Sequence, residues 1–184
     1  MKKTVLLAFT AFAFATATFA QDKLISKDGS INFFSTTPAE DISSNNYSLT
    51  STLDPGTGDV VFSVPMQGFE FEKSLMQQHF NSKKFLNTKK YPKGKFVGKI
   101  TNLSDIDFSK DGKYDANVSG ELSIHGVTNQ INEKGTITVE GEKVTVDSKF
   151  KVTLADYEIA FKKGKPSTNI AKVVDVTVKS VFNR

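Results

Sequence analysis

Lys143-Val144-Thr145-Val146-Asp147-Ser148-Lys149-Phe150-Lys151-Val152-Thr153-Leu154 alternates with a period of two. Val144, Val146, Phe150, Val152 and Leu154 fall on one face, and Lys143, Thr145, Asp147, Lys149, Lys151 and Thr153 on the other. Successive side chains of a strand point to opposite faces, so this stretch reads as a strand with one dry and one wet side. Parallel sheets are covered on both faces, so a half-wet strand points to an antiparallel sheet. The alternation recurs at Val60, Phe62, Val64 and Met66, and at Tyr114, Ala116, Val118, Gly120, Leu122 and Ile124. It returns at Val174, Val176, Val178 and Phe182.

Strands are expected over residues 24–34, 48–53, 59–66, 94–103, 114–125, 130–140, 143–154, 157–162 and 170–182. Asp54-Pro55-Gly56-Thr57-Gly58, Lys110-Asp111-Gly112-Lys113, Glu140-Gly141-Glu142 and Lys163-Gly164-Lys165-Pro166 separate them. Such Gly- and Pro-bearing segments supply the φ values of tight reversals. Short connections make sequence neighbours antiparallel neighbours, and a long meander of this kind closes on itself. The expected fold is all-β: an antiparallel, lipocalin-like up-and-down barrel of about eight strands. One segment breaks the pattern. Glu72 to Asn81 is rich in helix formers and sets Leu75, Met76, His79 and Phe80 at helical spacing. It reads as one short helix capping an end of the barrel, followed by a loop over residues 82–92.

At 184 residues the chain fits one domain. Its first twenty residues read as a cleavable signal peptide. Lys2 and Lys3 precede the apolar run Val5 to Phe14, and Thr18-Phe19-Ala20 ends in a small residue before Gln21. That run is short for a membrane span, which disfavours an uncleaved anchor. The barrel domain is then residues 21–184, and export is expected, to the periplasm of a Gram-negative source or to the outside. Residues 21–184 carry 22 basic and 20 acidic groups, a net charge of +2. Nucleic acid is not an expected partner at so weak a charge. The chain has no Cys, which excludes disulfides, thiolate metal sites and a Cys nucleophile.

An eight-strand barrel has room to be filled by side chains or to hold one small ligand. Gly98, Ala116, Gly120 and Ser148 are small inward positions, whereas Phe62, Met66, Phe96, Leu122 and Phe150 are large. Small against large fits either a solid core or a cavity. Four of the sixteen Phe leave with the leader. Of the rest, Phe62, Phe69, Phe71, Phe80 and Phe85 gather around the helix in sequence, as ordinary core or as the mouth of a pocket.

Two further stretches carry a resemblance. Val118-Ser119-Gly120-Glu121-Leu122-Ser123-Ile124-His125-Gly126-Val127-Thr128 resembles the G-x-L-(T/S)-I-H-G-V-T strand of the YceI-like, lipid- or polyisoprenoid-binding family. His79-Phe80-Asn81-Ser82-Lys83-Lys84-Phe85-Leu86-Asn87, with Tyr91-Pro92, resembles its H-L-x-S-x-x-F-F-(D/N)…Y-P segment. The resemblance covers about Ser48 to Arg184; the stretch before it lacks the family's usual opening pattern. Met76 and Gln77 stand where the family often has Arg-Asp. The resemblance implies an extended lipocalin-like barrel whose apolar tunnel takes a long isoprenoid or amphiphile, in a small periplasmic or secreted protein.

The expected function is to hold a polyisoprenoid, isoprenoid quinone or fatty amphiphile, without catalysis and without a cofactor beyond that ligand. Phe62, Val64, Met66, Phe80, Phe96, Leu122, Ile124, Phe150 and Val152 are the inward ligand-binding candidates. Phe69, Phe71, Met76, His79 and Phe85 join them around the helix. His79 and His125 are the two His of the chain. His79 faces a ligand headgroup or a neighbouring carbonyl; His125 is expected to hydrogen-bond the backbone of its own turn. No metal is expected, since no His pair has metal-ligand spacing. No nucleophile elbow, phosphate loop or dinucleotide fingerprint occurs. An enzyme with His79 as acid or base, and a ligand-free barrel acting through its surface, are the alternatives. Lys83, Lys84, Lys89 and Lys90, interleaved with Phe85, Leu86 and Tyr91, form a solvated surface or a contact for an anionic membrane. A monomer or homodimer is expected.

Overall fold

The computed structural model describes residues 23–160 and 170–184. The expected leader lies outside the described residues, as do residues 161–162 of the eighth expected strand and the expected turn at 163–166. The elements in chain order are β1 Leu24–Thr36, β2 Asp41–Leu53, β3 Asp59–Pro65, β4 Glu70–Phe71, α1 Ser74–Asn81, β5 Lys93–Ile100, β6 Gly112–Ile124, β7 Val127–Glu140, β8 Lys143–Thr153 and β9 Val173–Asn183.

The strand order β1-β9-β8-β7-β6-β5-β3-β2 is closed by pairing of β1 with β2, and β4 adds two rungs to β2. Every pairing is antiparallel. The molecule is therefore a closed eight-strand up-and-down barrel with one small extra strand and one short helix, the architecture that the alternation and the turns imply. Closure leaves no full-length free edge, which removes the usual route to strand-on-strand aggregation.

The interior divides into two apolar clusters. Leu53, Val60, Ile100, Ile106, Phe108, Ile137, Val139, Val144 and Phe182 fill one end. The loop after β5 folds across that end: Ile106 and Phe108 are buried, and the Arg184 guanidinium donates to the Phe108 carbonyl. The second cluster, around Leu49, Met66, Phe69, Phe80, Leu86, Leu122 and Val176, lies toward α1. Phe62 and Phe96 pack against both clusters, with ring centroids 6.5 Å apart, and mark the waist between them.

Several expected boundaries move. β2 begins at Asp41 rather than Ser48, because Asp41 to Asn46 pair with β1 in spite of their polar side chains. The Asn32 amide donates to the Asn45 side chain at 2.9 Å, and the Asn46 amide to the Pro65 carbonyl at 2.8 Å, so these polar groups are satisfied within the sheet. The strand expected from Tyr157 is absent over its described part. Leu154–Tyr157 forms a 3-10 turn, and Glu158 and Ala160 take left-handed backbone at φ 52° and 62°, which a strand cannot accommodate. β9 starts three residues later than expected and β7 three earlier. α1 starts two residues later than expected, at Ser74, behind Glu70–Phe71, which pairs with β2.

Candidate functional site

A cavity of about 670 Å³ lies inside the barrel, on the α1 side of the packed end. Its size is within the range of pockets that enclose one small molecule. Phe62, Val64, Met66, Phe69, Phe71, Met76, His79, Phe80, Phe85, Phe96, Leu122, Ile124, Phe150 and Val152 all lie on its wall. The fourteen sequence-selected residues are thus brought together, from β3, β4, α1, β5, β6 and β8 and the adjoining loops.

Two features produce the hollow. At the waist, Gly98 of β5 pairs with Gly120 of β6. A Cβ on Gly120 would lie 2.4 Å from the Gly98 Cα, and one on Gly98 2.5 Å from the Phe96 ring. The bare backbone there is the bed on which the Phe96 ring lies. At the α1 end, Phe80 is the hub of an aromatic group. Its ring is stacked on Phe33 at 5.7 Å and meets Phe69, Phe71 and Phe85 at 5.4, 5.0 and 6.3 Å. Phe62 does not belong to this group as expected; β3 carries it down to the waist, and Phe33 of β1 takes the place at the mouth. Leu75, Met76 and His79 of α1 and Lys73 edge the mouth, and Lys73 pairs with Glu40 of the β1–β2 turn at 2.9 Å.

Sequence reasoning missed the β1, β2 and β9 contributions: Ile31, Phe33, Ile42, Leu49, Val174, Val176 and Val178 also line the cavity. The β9 alternation was a usable signal for the last three. It missed Glu133 as well, a half-buried carboxylate on the cavity wall whose pKa burial raises.

Among the described residues the wall has a seam between β7 and β8. β7 and β8 pair from Glu140↔Lys143 to Gly135↔Ser148 and no further. Beyond the last rung, closed by the Ser148 hydroxyl donating to the Lys134 carbonyl at 2.7 Å, the two strands part. The 3-10 turn at Leu154–Tyr157 bridges the far end of the gap. Asn129 donates to the Asp156 carbonyl at 2.7 Å, and His125 Nδ1 lies 3.1 Å from the Tyr157 carbonyl. His125 therefore secures a different element rather than its own turn. His125 and Gly126, at φ 55° and 82°, make the two-residue reversal between β6 and β7.

Chemically the wall offers apolar contact and few polar groups. Among the described residues no group of three His, Asp or Glu could hold a metal ion. A model of the YceI-like domain matches residues 23–182. The chain belongs to the YceI-like family. Its match begins at residue 23, so β1 and all of β2 are part of the YceI-like domain, which extends the match beyond the stretch from about Ser48 that carries the resemblance in sequence. Inward Ser26, Ser35, Ser44 and Asn46 and the register shifts in the β1–β2 ladder break the apolar alternation there and hide the first half of β2.

The chain is 31% identical over 110 residues to a UPF0312 protein of Pseudomonas putida (strain W619), covering 56% of this chain and 52% of that one. With a UPF0312 protein of Pseudomonas fluorescens it shares 38% over 65 residues, 35% of this chain and 32% of that one. It spans about half the length of the curated relatives it matches, or less. Among solved structures it is similar to a polyisoprenoid binding domain from Saccharophagus degradans, with TM-score 0.72, 12% identity, 88% of this chain and 97% of that one. It is also similar to BcnA of Burkholderia cenocepacia, with TM-score 0.69, 18% identity, and coverage of 83% and 95%. At these identities the likeness is one of fold. The two stretches that carry the YceI-like resemblance meet in space: the Tyr91 ring packs edge-on against His125 at 4.8 Å and closes over Gly126.

Proposed function

We propose that this YceI-like protein binds one long apolar chain, such as a polyisoprenoid, an isoprenoid quinone or a fatty amphiphile, inside its barrel and without turnover. The observation that carries the reading is the apolar cavity of about 670 Å³, lined by Phe, Leu, Ile, Val and Met from nearly every strand. At the roughly 30 Å³ that a water-sized group occupies in a liquid, it holds a chain of about twenty carbons. Burying about twenty methylenes at ~0.8 kcal/mol each gives about 16 kcal/mol gross. Association and chain ordering cost on the order of 4–15 kcal/mol, so only a chain that fills the cavity binds tightly.

Binding rather than catalysis fits His79, which stands at the mouth with no ion-pair partner among the described residues. Acid–base work draws on a group oriented by a second residue. The reading includes export through the leader at residues 1–20 and a periplasmic or extracellular location. It also includes transient contact with an anionic membrane through the exposed Lys83, Lys84, Lys89 and Lys90.

Displacement of a fluorescent lipophile by n-alkanols of rising length tests the binding. Affinity is expected to climb with each methylene up to about twenty carbons and then level off. Failure of every length to displace the probe, with direct binding also absent, overturns the reading.

A further inference from the structure

Glu133 is out of keeping with its surroundings. It projects from the inward face of β7, between Ile131 and Gly135, onto a cavity wall that is built mostly from apolar side chains. A carboxylate in such a wall loses hydration, and it is retained without penalty only where water or a partner meets it. Among the described residues Glu133 has no ion-pair partner. The other charged groups around the cavity are placed differently. Glu40 and Lys73 pair with each other at the mouth, and Lys95 is an exposed residue of β5.

The position of Glu133 coincides with the seam. It lies two residues beyond Gly135, the last residue of β7 in register with β8. From there to Asn129, where the 3-10 turn is clasped, β7 has no ladder to β8. Six residues of strand from Asn129 to Gly135 span about 20 Å at the usual rise. Ile131 and Glu133 form one lip of this opening, and Phe150 and Val152 the other; all four line the cavity. The turn that bridges the far end carries the buried Tyr157, whose pKa is raised by burial, opposed by a hydrogen bond from Asn129 and reinforced by the charges of Asp156 and Glu133.

We propose that the β7–β8 seam is the polar port of the cavity, where Glu133 receives the headgroup of the bound amphiphile, and that this headgroup is a hydrogen-bond donor: an amine, a hydroxyl or an amide N–H. The inference rests on the apolar-chain reading above and adds a headgroup class to it. An ammonium or hydroxyl placed against Glu133 satisfies the carboxylate by a charge-assisted hydrogen bond, while the chain lies along the Phe- and Leu-lined interior. A carboxylate or phosphate at the same place sets like charges together, and the wall cation without an ion-pair partner among the described residues, Lys95, is exposed on β5, two strands away from β7.

Three sixteen-carbon probes test this: hexadecylamine, hexadecanoic acid and hexadecane, titrated at neutral pH into wild type, Glu133→Gln and Glu133→Leu. Wild type is expected to favour the amine over the acid, and the amine-to-acid affinity ratio is expected to fall on the order of ten-fold or more in Glu133→Gln. Far-UV circular dichroism reports folding, and Glu133→Gln, isosteric with the native side chain, carries the comparison should Glu133→Leu not fold. An unchanged ratio in Glu133→Gln, with hexadecane bound by wild type, overturns the headgroup inference and leaves the apolar cavity standing. Binding of none of the three by wild type overturns both.

Discussion

Gly98 and Gly120 show how single residues set the shape of the interior. They are paired across β5 and β6, and each would place a Cβ within 2.6 Å of the other strand's backbone. Backbone atoms cannot swing aside as a side-chain end can, so Gly120→Ala pushes β5 and β6 apart and lifts the Phe96 ring from its bed. The expected cost is about 1–3 kcal/mol, as for other overpacked sites. Urea denaturation of wild type and variant measures it, and a ΔΔG near zero contradicts the close-packed waist. Gly126 is constrained for a second reason. At φ 82° it occupies the left-handed region, and a Cβ there would meet the Tyr91 ring at 2.5 Å. The sequence marks both glycines by their place in the G-E-L-S-I-H-G run, but a lone strand Gly does not say whether it marks a bend, a binding site or a ring packed against bare backbone. The partner ring, Phe96 in one case and Tyr91 in the other, becomes visible only in three dimensions.

At the scale of elements, α1 is a short helix held on by one residue rather than by its own propensity. Eight residues are too few for an autonomous helix in water, so its stability comes from packing. Phe80, its buried side chain, anchors it among Phe33, Phe69, Phe71 and Phe85. Phe80→Ala is expected to cost about 3–5 kcal/mol of stability and to loosen the mouth, so that a bound chain leaves faster. Denaturation gives the first quantity and stopped-flow release of a fluorescent lipophile the second; an unchanged release rate contradicts the role of α1 as a cover. The elements differ in how plainly the sequence announces them. β6, β8 and β9 alternate cleanly because their inward positions are apolar and their ladders are regular. β1 is expected almost in full, but the first half of β2 places Ser44 and Asn46 inward, and register shifts interrupt the β1–β2 ladder, so polarity alone could not separate that half from loop. The segment after β8 fails for the opposite reason: Tyr157, Ile159 and Phe161 alternate like a strand, yet Tyr157 and Ile159 are buried beside a 3-10 turn followed by left-handed backbone at Glu158 and Ala160.

The molecule as a whole joins a barrel wall, a packed end and a hollow end. Phe108 and the residues around Phe182 pack one end, and Arg184 ties the chain's last strand to that floor through the Phe108 carbonyl. Among the described residues the hollow end is open along the β7–β8 seam and at the mouth under α1. Apolar periodicity marks the strand positions of the wall, such as Phe62, Val64, Phe96, Leu122, Phe150 and Val152, because inward-facing positions follow from strand register, whereas Met76, His79 and Phe80 reach it from α1. It could not foretell whether the inward side chains meet across the barrel, because that depends on closure, the glycine pair and the tilt of each ring. Native mass spectrometry of the protein from Gln21 onward, exported in a bacterial host and with solvent extraction of the same sample, tests the central claim most directly. The account predicts a one-to-one adduct whose mass matches a single long-chain isoprenoid or fatty amphiphile, formed in the host or on addition of isoprenoid quinones and fatty amides. An apo mass that persists under both conditions would contradict it and leave the barrel to act through its surface.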